Sequence, residues 1–194
     1  MPIFLSWIVA ITLAGTSAGL LLSRNWRWSL GLFVLQYFAA FWLLLTNWPL
    51  NMAATILVSG WMSAAALGTT LLNIKHISIE ETSWPQASTF RIFASGVVLL
   101  SITAFAKSPA DWFPIASLPL TWGALALIGL GILHLGMTLQ PLRVILGLLT
   151  TLLGFEILYT TVENSILVTG LLVVVSMSLA FAGCFLLILG EQNA

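Results

Sequence analysis

Charge is what this sequence has least of. Six Lys or Arg and six Asp or Glu make up 6% of its 194 residues, against 60% hydrophobic residues. A soluble domain carries about 25% charged residues, and so few charges cannot cover the surface of a water-soluble fold of this size. The scarcity excludes a soluble domain and implies an integral membrane protein. Net charge is zero, so the chain has no electrostatic footprint for nucleic acid or an acidic partner. Cysteine is nearly absent as well. Cys184 stands alone in an apolar run, which excludes an internal disulfide and reads as a small core residue. Histidine occurs twice, at His76 and His134, and no CxxC or HxxxH spacing is present, so no metal-ligand set is expected. There is no GxGxxG and no P-loop, and no ligand set for flavin, haem or an iron–sulfur cluster, so no cofactor is expected. The N-terminal MPIFLSWIVAITLAG lacks the basic start of a signal peptide and reads as a retained first span.

What is there is apolar sequence in blocks. A membrane span needs roughly 20 such residues, and seven blocks qualify, at 3–22, 28–46, 52–74, 91–106, 119–139, 142–161 and 165–189. None shows the alternating polarity of a barrel strand, so all seven are expected to be helices that satisfy their own backbone. The block at 91–106 is short. KHISIEETSWPQAST forms the one sizeable polar loop, and SPADWFPIASLP joins the fourth and fifth blocks as an interfacial connector. With seven spans and the N-terminus outside, Arg24, Arg27, Lys75, Arg91 and Arg143 are cytoplasmic and Lys107 alone is external, in keeping with the positive-inside rule. The C-terminus is then cytoplasmic. Omitting the fourth span leaves the same bias with Arg143 as the exception, so charge alone does not count the helices.

An internal repeat favours seven. RWSLGL at 27–32 matches RVILGL at 143–148, and ILVSG at 56–60 matches ILVTG at 166–170, in the same order. This divides the chain into an N-terminal three-helix unit at 1–74, a loop, linking helix and connector at 75–118, and a C-terminal three-helix unit at 119–194. Three helices reverse the chain, so the linking helix must cross for the two units to be parallel repeats with both arginines on one side. The fold class expected is an all-α integral membrane protein of about seven transmembrane helices, two parallel three-helix repeats joined by an extra helix.

One carboxylate interrupts the apolar blocks. Glu156 lies in GLLTTLLGFEILYTTVE at 147–163, about 20 Å along its helix from Arg143. A charge at that depth costs at least a few kcal/mol, so it is expected to face protein or water, or to carry a proton. The other acids, Glu80, Glu81, Asp111, Glu163 and Glu191, lie outside the blocks. His134 is the second titratable group at depth; it is a relay candidate, although an interhelical hydrogen bond is its commoner use. Thr150, Thr151, Tyr159, Gln36, Tyr37, Ser59 and Thr169 are further polar positions within blocks, able to hold water or to join helices. Six of the nine tryptophans, Trp26, Trp28, Trp48, Trp84, Trp112 and Trp122, fall near block ends, the pattern of an interfacial belt. Small residues at Gly15 and Gly19, and at Gly129 and Gly131, permit close helix packing.

The segment GLGILHLGMTLQPLRVILGLLTTLLGFEILYTTVENSILVTGLLVVVS resembles the three-helix subunit K (chain 4L type) of complex I and its counterpart, the small C component, in the Mrp-type sodium/proton antiporters. Arg143-x-x-x-Gly147-Leu148 looks like the start of that family's second helix. Gly154-Phe155-Glu156-Ile157 looks like the Gly-Leu-Glu-Ile around its membrane glutamate, and Ile166-Leu167-Val168-Thr169 like the entry of its third helix. The longer plan is similar to component E of the hydrogenase-4 and formate hydrogenlyase group. Leu149 occupies the position of the complex I glutamate when the arginine motifs are aligned, and helix 165–189 lacks that family's second glutamate. Both departures favour the antiporter and hydrogenase branches. The resemblance implies a non-catalytic membrane-arm subunit of a proton- or cation-translocating complex, not an enzyme on its own. Its ion path would use Glu156, His134, Thr150, Tyr159 and Thr169, with Arg143 and Arg27 as cytoplasmic helix-end charges. Its partners would be large antiporter-like subunits, other small membrane subunits and lipid, in the cell inner membrane or a thylakoid membrane. Two alternatives stay open: a stand-alone small transporter with its site between the repeats, and a purely structural subunit of a respiratory or photosynthetic assembly.

Overall fold

The computed structural model describes residues 3–23, 25–74, 85–106, 117–162 and 165–192. Among them are seven α-helices and no strand: α1 (Ile3–Leu22), α2 (Trp26–Leu44), α3 (Leu50–Asn73), α4 (Pro85–Phe105), α5 (Leu118–Gly136), α6 (Pro141–Tyr159) and α7 (Ile166–Gln192). Among the described residues, α1, α2, α3, α5, α6 and α7 are long and apolar enough to cross a membrane by length and composition, and α4 adds the shorter apolar stretch Thr89–Phe105. Large apolar side chains cover the outside, among them Phe4, Phe93, Leu100, Leu167 and Phe185. In water such a surface would aggregate; in lipid it is the solvated face. The protein is an all-α, multi-pass membrane protein.

Helix boundaries follow local chemistry. The Asn25 side chain accepts from the Arg27 amide and caps α2. Proline opens α5 and α6 within their first two residues, where a missing N–H costs nothing. Two boundaries differ from the hydropathy pattern. Helix α4 begins at Pro85, six residues before the apolar block, because Gln-Ala-Ser-Thr continues a helix outside hydrocarbon as readily as inside; the polar loop expected to run to residue 90 is shorter accordingly. Helix α5 stops at Gly136, short of residue 139, because Pro141 pushes the residue before it toward extended backbone and Gln140 adopts φ −70°, ψ 127°. Leu139 there is 98% exposed.

Helices α1–α3 form one row and α5–α7 a second, and the rows pack with α1 on α5, α2 on α6 and α3 on α7. The directions can be read from contacts. Trp7 and Trp122, near the starts of α1 and α5, have ring centroids 6.0 Å apart. At the opposite end Arg143 donates from Nη2 to the Ser23 carbonyl, 2.7 Å away, just past α1. Helices α1 and α5 therefore run the same way. Helix α4 runs the opposite way alongside them: Trp122 donates to Thr103 near the end of α4 at 3.2 Å, while Val98, earlier in α4, meets Gly129, later in α5. In α3 and α7, Ser63 meets Met177, and Ser59 and Val173, one turn earlier in each helix, line one groove, again a parallel pair. The start of α1 and the end of α7 consequently lie at opposite ends of the bundle.

Glycine permits the closest approach. A Cβ on Gly154 of α6 would stand 2.7 Å from the Ala124 carbonyl oxygen and 2.9 Å from Leu127 Cβ on α5. Gly131 meets the backbone of Gly147 and Thr151 in the same interface, whereas Gly129 turns toward α4. Gly15 is exposed with nothing within 4 Å, so the Gly15–Gly19 pair is not a packing seam; Gly19 alone contacts α2, at Leu32. Trp48 is 3% exposed and belongs to the core, not to an interfacial belt, because the short turn from α2 to α3 folds its ring inward. Trp28 is 71% exposed. Trp84 and Trp112 lie outside the described residues, as do Arg24, Lys75, Lys107, Glu80, Glu81, Asp111 and Glu163.

Candidate functional site

Glu156 is fully buried, 16th in the 19 residues of α6. Its Oε1 accepts a hydrogen bond from Ser176 Oγ of α7 at 3.2 Å. Its Oε2 is buried with no hydrogen-bond partner. Tyr37 of α2 joins from the other row: it is 1% exposed, and its hydroxyl lies beside Ser176 within electrostatic reach of the carboxyl. That hydroxyl also lacks a hydrogen-bond partner in this geometry. The ring fits over Gly60 of α3, where any Cβ would collide with the Tyr37 ring carbons; the missing side chain is what admits the tyrosine. Four helices, α2, α3, α6 and α7, thus converge on one carboxyl, two hydroxyls and a glycine notch.

A buried carboxyl with one donor is under-satisfied in either protonation state. If charged, it needs a cation or more donors; if neutral, its proton needs an acceptor. A proton or a small hydrated cation supplies what is missing, and the flanking hydroxyls can each donate and accept.

The structure separates the other sequence-derived candidates from this cluster. His134 is buried in the last turn of α5. Glu156 lies two residues past Gly154, which meets Ala124 and Leu127; with α5 and α6 antiparallel, His134 is therefore about 13–18 Å further along the bundle. Thr150 is buried with its hydroxyl unpartnered, but six residues before Glu156 it is about 9 Å away along the axis and on another face. Tyr159, one turn past Glu156, is partly buried against the core and stacks on the half-exposed Phe155, centroids 6.2 Å apart, with no hydrogen bond to the cluster among the described residues. Thr169 is buried and donates to the Ser165 carbonyl; seven residues before Ser176, it shares that residue's face of α7 two turns away. Gln36, next to Tyr37, is fully buried with both side-chain polar atoms unpartnered.

The two repeated arginines differ. Both sit at the start of a helix, at the same end of the bundle. Arg143 is 6% exposed and satisfies a carbonyl at the C-terminal end of α1, a favourable place for a cation. Arg27 is exposed and lies over the Trp26 ring, 5.3 Å from its centroid. The second repeated string is not equivalent in depth: ILVSG begins six residues into α3, whereas ILVTG opens α7. Gly60 holds Tyr37, while Gly170 has nothing within 4 Å.

Ser176 was not legible as a site residue. A lone serine in VVVSMSLAF carries no signal until α7 is known to face α6. Among the described residues, no three His, Cys, Asp or Glu side chains gather as a metal site would require. No family model, no curated protein and no solved structure matches the chain.

Proposed function

We propose that this protein is a membrane-arm subunit of a multisubunit proton- or cation-translocating complex, of the Mrp-antiporter or hydrogenase and NADH-dehydrogenase kind, and that Glu156 carries the ion past its bundle. The observation that supports this most is the fully buried Glu156, with one hydrogen bond, a second oxygen unpartnered, and the hydroxyls of Ser176 and Tyr37 alongside. A carboxyl kept only to join two helices would have both oxygens satisfied. In this reading large antiporter-like subunits cover part of the apolar exterior, Arg27 and Arg143 mark the cytoplasmic end, and the chemistry of any redox centre belongs to other subunits.

One feature favours a second reading, a stand-alone transporter. The cluster draws Tyr37 and Gly60 from the first row of helices and Glu156 and Ser176 from the second, and a site between two three-helix units is where small transporters bind substrate. Purification in mild detergent separates the two: large hydrophobic partners co-purify in the first case, and an active single chain is recovered in the second.

The test of the ion path is Glu156→Gln. The amide still accepts from Ser176 but no longer titrates, so assembly is retained and proton or sodium uptake into proteoliposomes falls severely. Glu156→Ala strands the Ser176 hydroxyl in addition and is less stable by about 1–3 kcal/mol. Normal uptake with Glu156→Gln would leave Glu156 as a helix contact and end the proposal.

A further inference from the structure

A line of polar side chains leads from one end of the bundle toward Glu156. Asn51, Thr55, Ser59 and Ser63 recur every fourth residue of α3, so each adjoins the next along a ridge that winds about 120° around the helix. They span about 18 Å of helix axis. Asn51 and Thr55 are exposed, Ser59 is 3% exposed and Ser63 is fully buried. The first three line an open groove of about 420 Å³ whose other walls, Ala54, Val58, Met62, Val173 and Met177, are apolar and form most of its surface. At its inner end, Ser63 Oγ donates to the Ser59 carbonyl and approaches Met177 Sδ at 3.6 Å. Met177 is preceded along α7 by Ser176, the donor to Glu156. Ser63 and Met177 thus meet at the inner end of the groove, and the residue before Met177 reaches the carboxyl.

Hydroxyls on a helix can be tied to the preceding turn, and those of Thr55, Ser59 and Ser63 are; alone, such groups tolerate lipid. Two further features do not fit a lipid-facing groove. Asn51 places an exposed amide at its mouth, which hydrocarbon would not solvate. Polar residues continue inward to an ionisable group instead of fading with depth.

We infer that the groove between α3 and α7 is a water-filled access way through which a proton or hydrated cation reaches Glu156 from the end where α3 begins, and that Met177 closes its inner end. The inference rests on the ion-path role of Glu156 for its purpose, but the wetness of the groove is tested without transport. Single cysteines are placed at Ser59, at Val58 and at the outward-facing Leu100 of α4 in a Cys184→Ser background, in the full chain in its native membrane. The probes are a charged, membrane-impermeant methanethiosulfonate and the lipid-soluble N-ethylmaleimide. Ser59→Cys and Val58→Cys are expected to react with the charged reagent about tenfold or more faster than Leu100→Cys, because thiolate and charged reagent meet only in water. Equal inertness of all three toward the charged reagent, with all three reacting with N-ethylmaleimide, would overturn the inference. Met177→Ala should then raise modification of Glu156 by a water-soluble carbodiimide several-fold, and Met177→Phe should lower it; modification unaffected by either change removes Met177 as the closure. Normal transport with Glu156→Gln beside a reactive Ser59→Cys would sink the ion path and leave the wet groove. Glu156-dependent transport beside an inert Ser59→Cys would sink the groove and leave the ion path.

Discussion

Gly154→Ala adds one methyl group where α5 and α6 pack backbone to backbone, two residues from Glu156. The new Cβ would stand 2.7 Å from the Ala124 carbonyl oxygen, 2.8 Å from Ile128 Cγ1 and 2.9 Å from Leu127 Cβ. Carbon contacts settle at about 3.5–4.0 Å, so the helices must part by roughly 0.5–1 Å at this level. Ile128 can rotate away, but the Ala124 carbonyl is helix backbone and cannot. Overpacking of this kind costs about 1–3 kcal/mol. Alanine also returns up to about 1 kcal/mol of helix propensity, which hides part of the loss. Gly15→Ala isolates that second effect, since nothing lies within 4 Å of its Cβ position. The difference between the two variants is then the overpacking alone, about 1–3 kcal/mol, or roughly a 5- to 150-fold change in the unfolding equilibrium. The assay is unfolding in mixed dodecylmaltoside and sodium dodecyl sulfate micelles, followed by fluorescence of the nine tryptophans. Gly15→Ala should match or exceed the wild type, and Gly154→Ala should unfold earlier. Equal midpoints for both would refute the close backbone approach of α5 and α6, and with it the depth assigned to Glu156.

Two further outcomes use the same titration. Ser176→Ala removes the donor to Glu156 and should destabilise the protein by about 1–3 kcal/mol, but this loss should vanish in a Glu156→Met background, where no carboxyl needs a partner; an undiminished loss there would mean that Ser176 acts through packing. Arg143→Gln strips the charged donor from the Ser23 carbonyl and should cost about 1.5–3 kcal/mol, while Arg27→Gln at the exposed equivalent position should cost no more than about 1 kcal/mol, the worth of its contact with Trp26. Equal effects at the two arginines would count against the buried role of Arg143.

What the sequence determined by itself was whatever lipid imposes on each segment separately. Hydrocarbon requires every span to satisfy its own backbone, so the apolar blocks are the helices, and Glu156 is conspicuous from composition alone because nothing else acidic lies inside a block. Proline and asparagine near the block ends likewise announce their boundaries, since their effects are local. Tertiary structure decided everything that depends on which helix face meets which. Serine, tyrosine and glycine are common in apolar helices, and their spacing along one helix says nothing about the neighbour across from them. Ser176 and Tyr37 meet Glu156 because Gly60 leaves room for the Tyr37 ring and Gly154 draws α6 against α5. The same packing carries His134 away to the opposite end, stacks Tyr159 on Phe155 and folds Trp48 into the core. It also sets ILVSG and ILVTG at different depths, because a β-branched apolar string is equally at home anywhere along a span. Lipid selects residues by polarity and so writes the spans into the sequence; the contacts between spans depend on the shapes of faces far apart in the chain, and only the folded bundle brings those together.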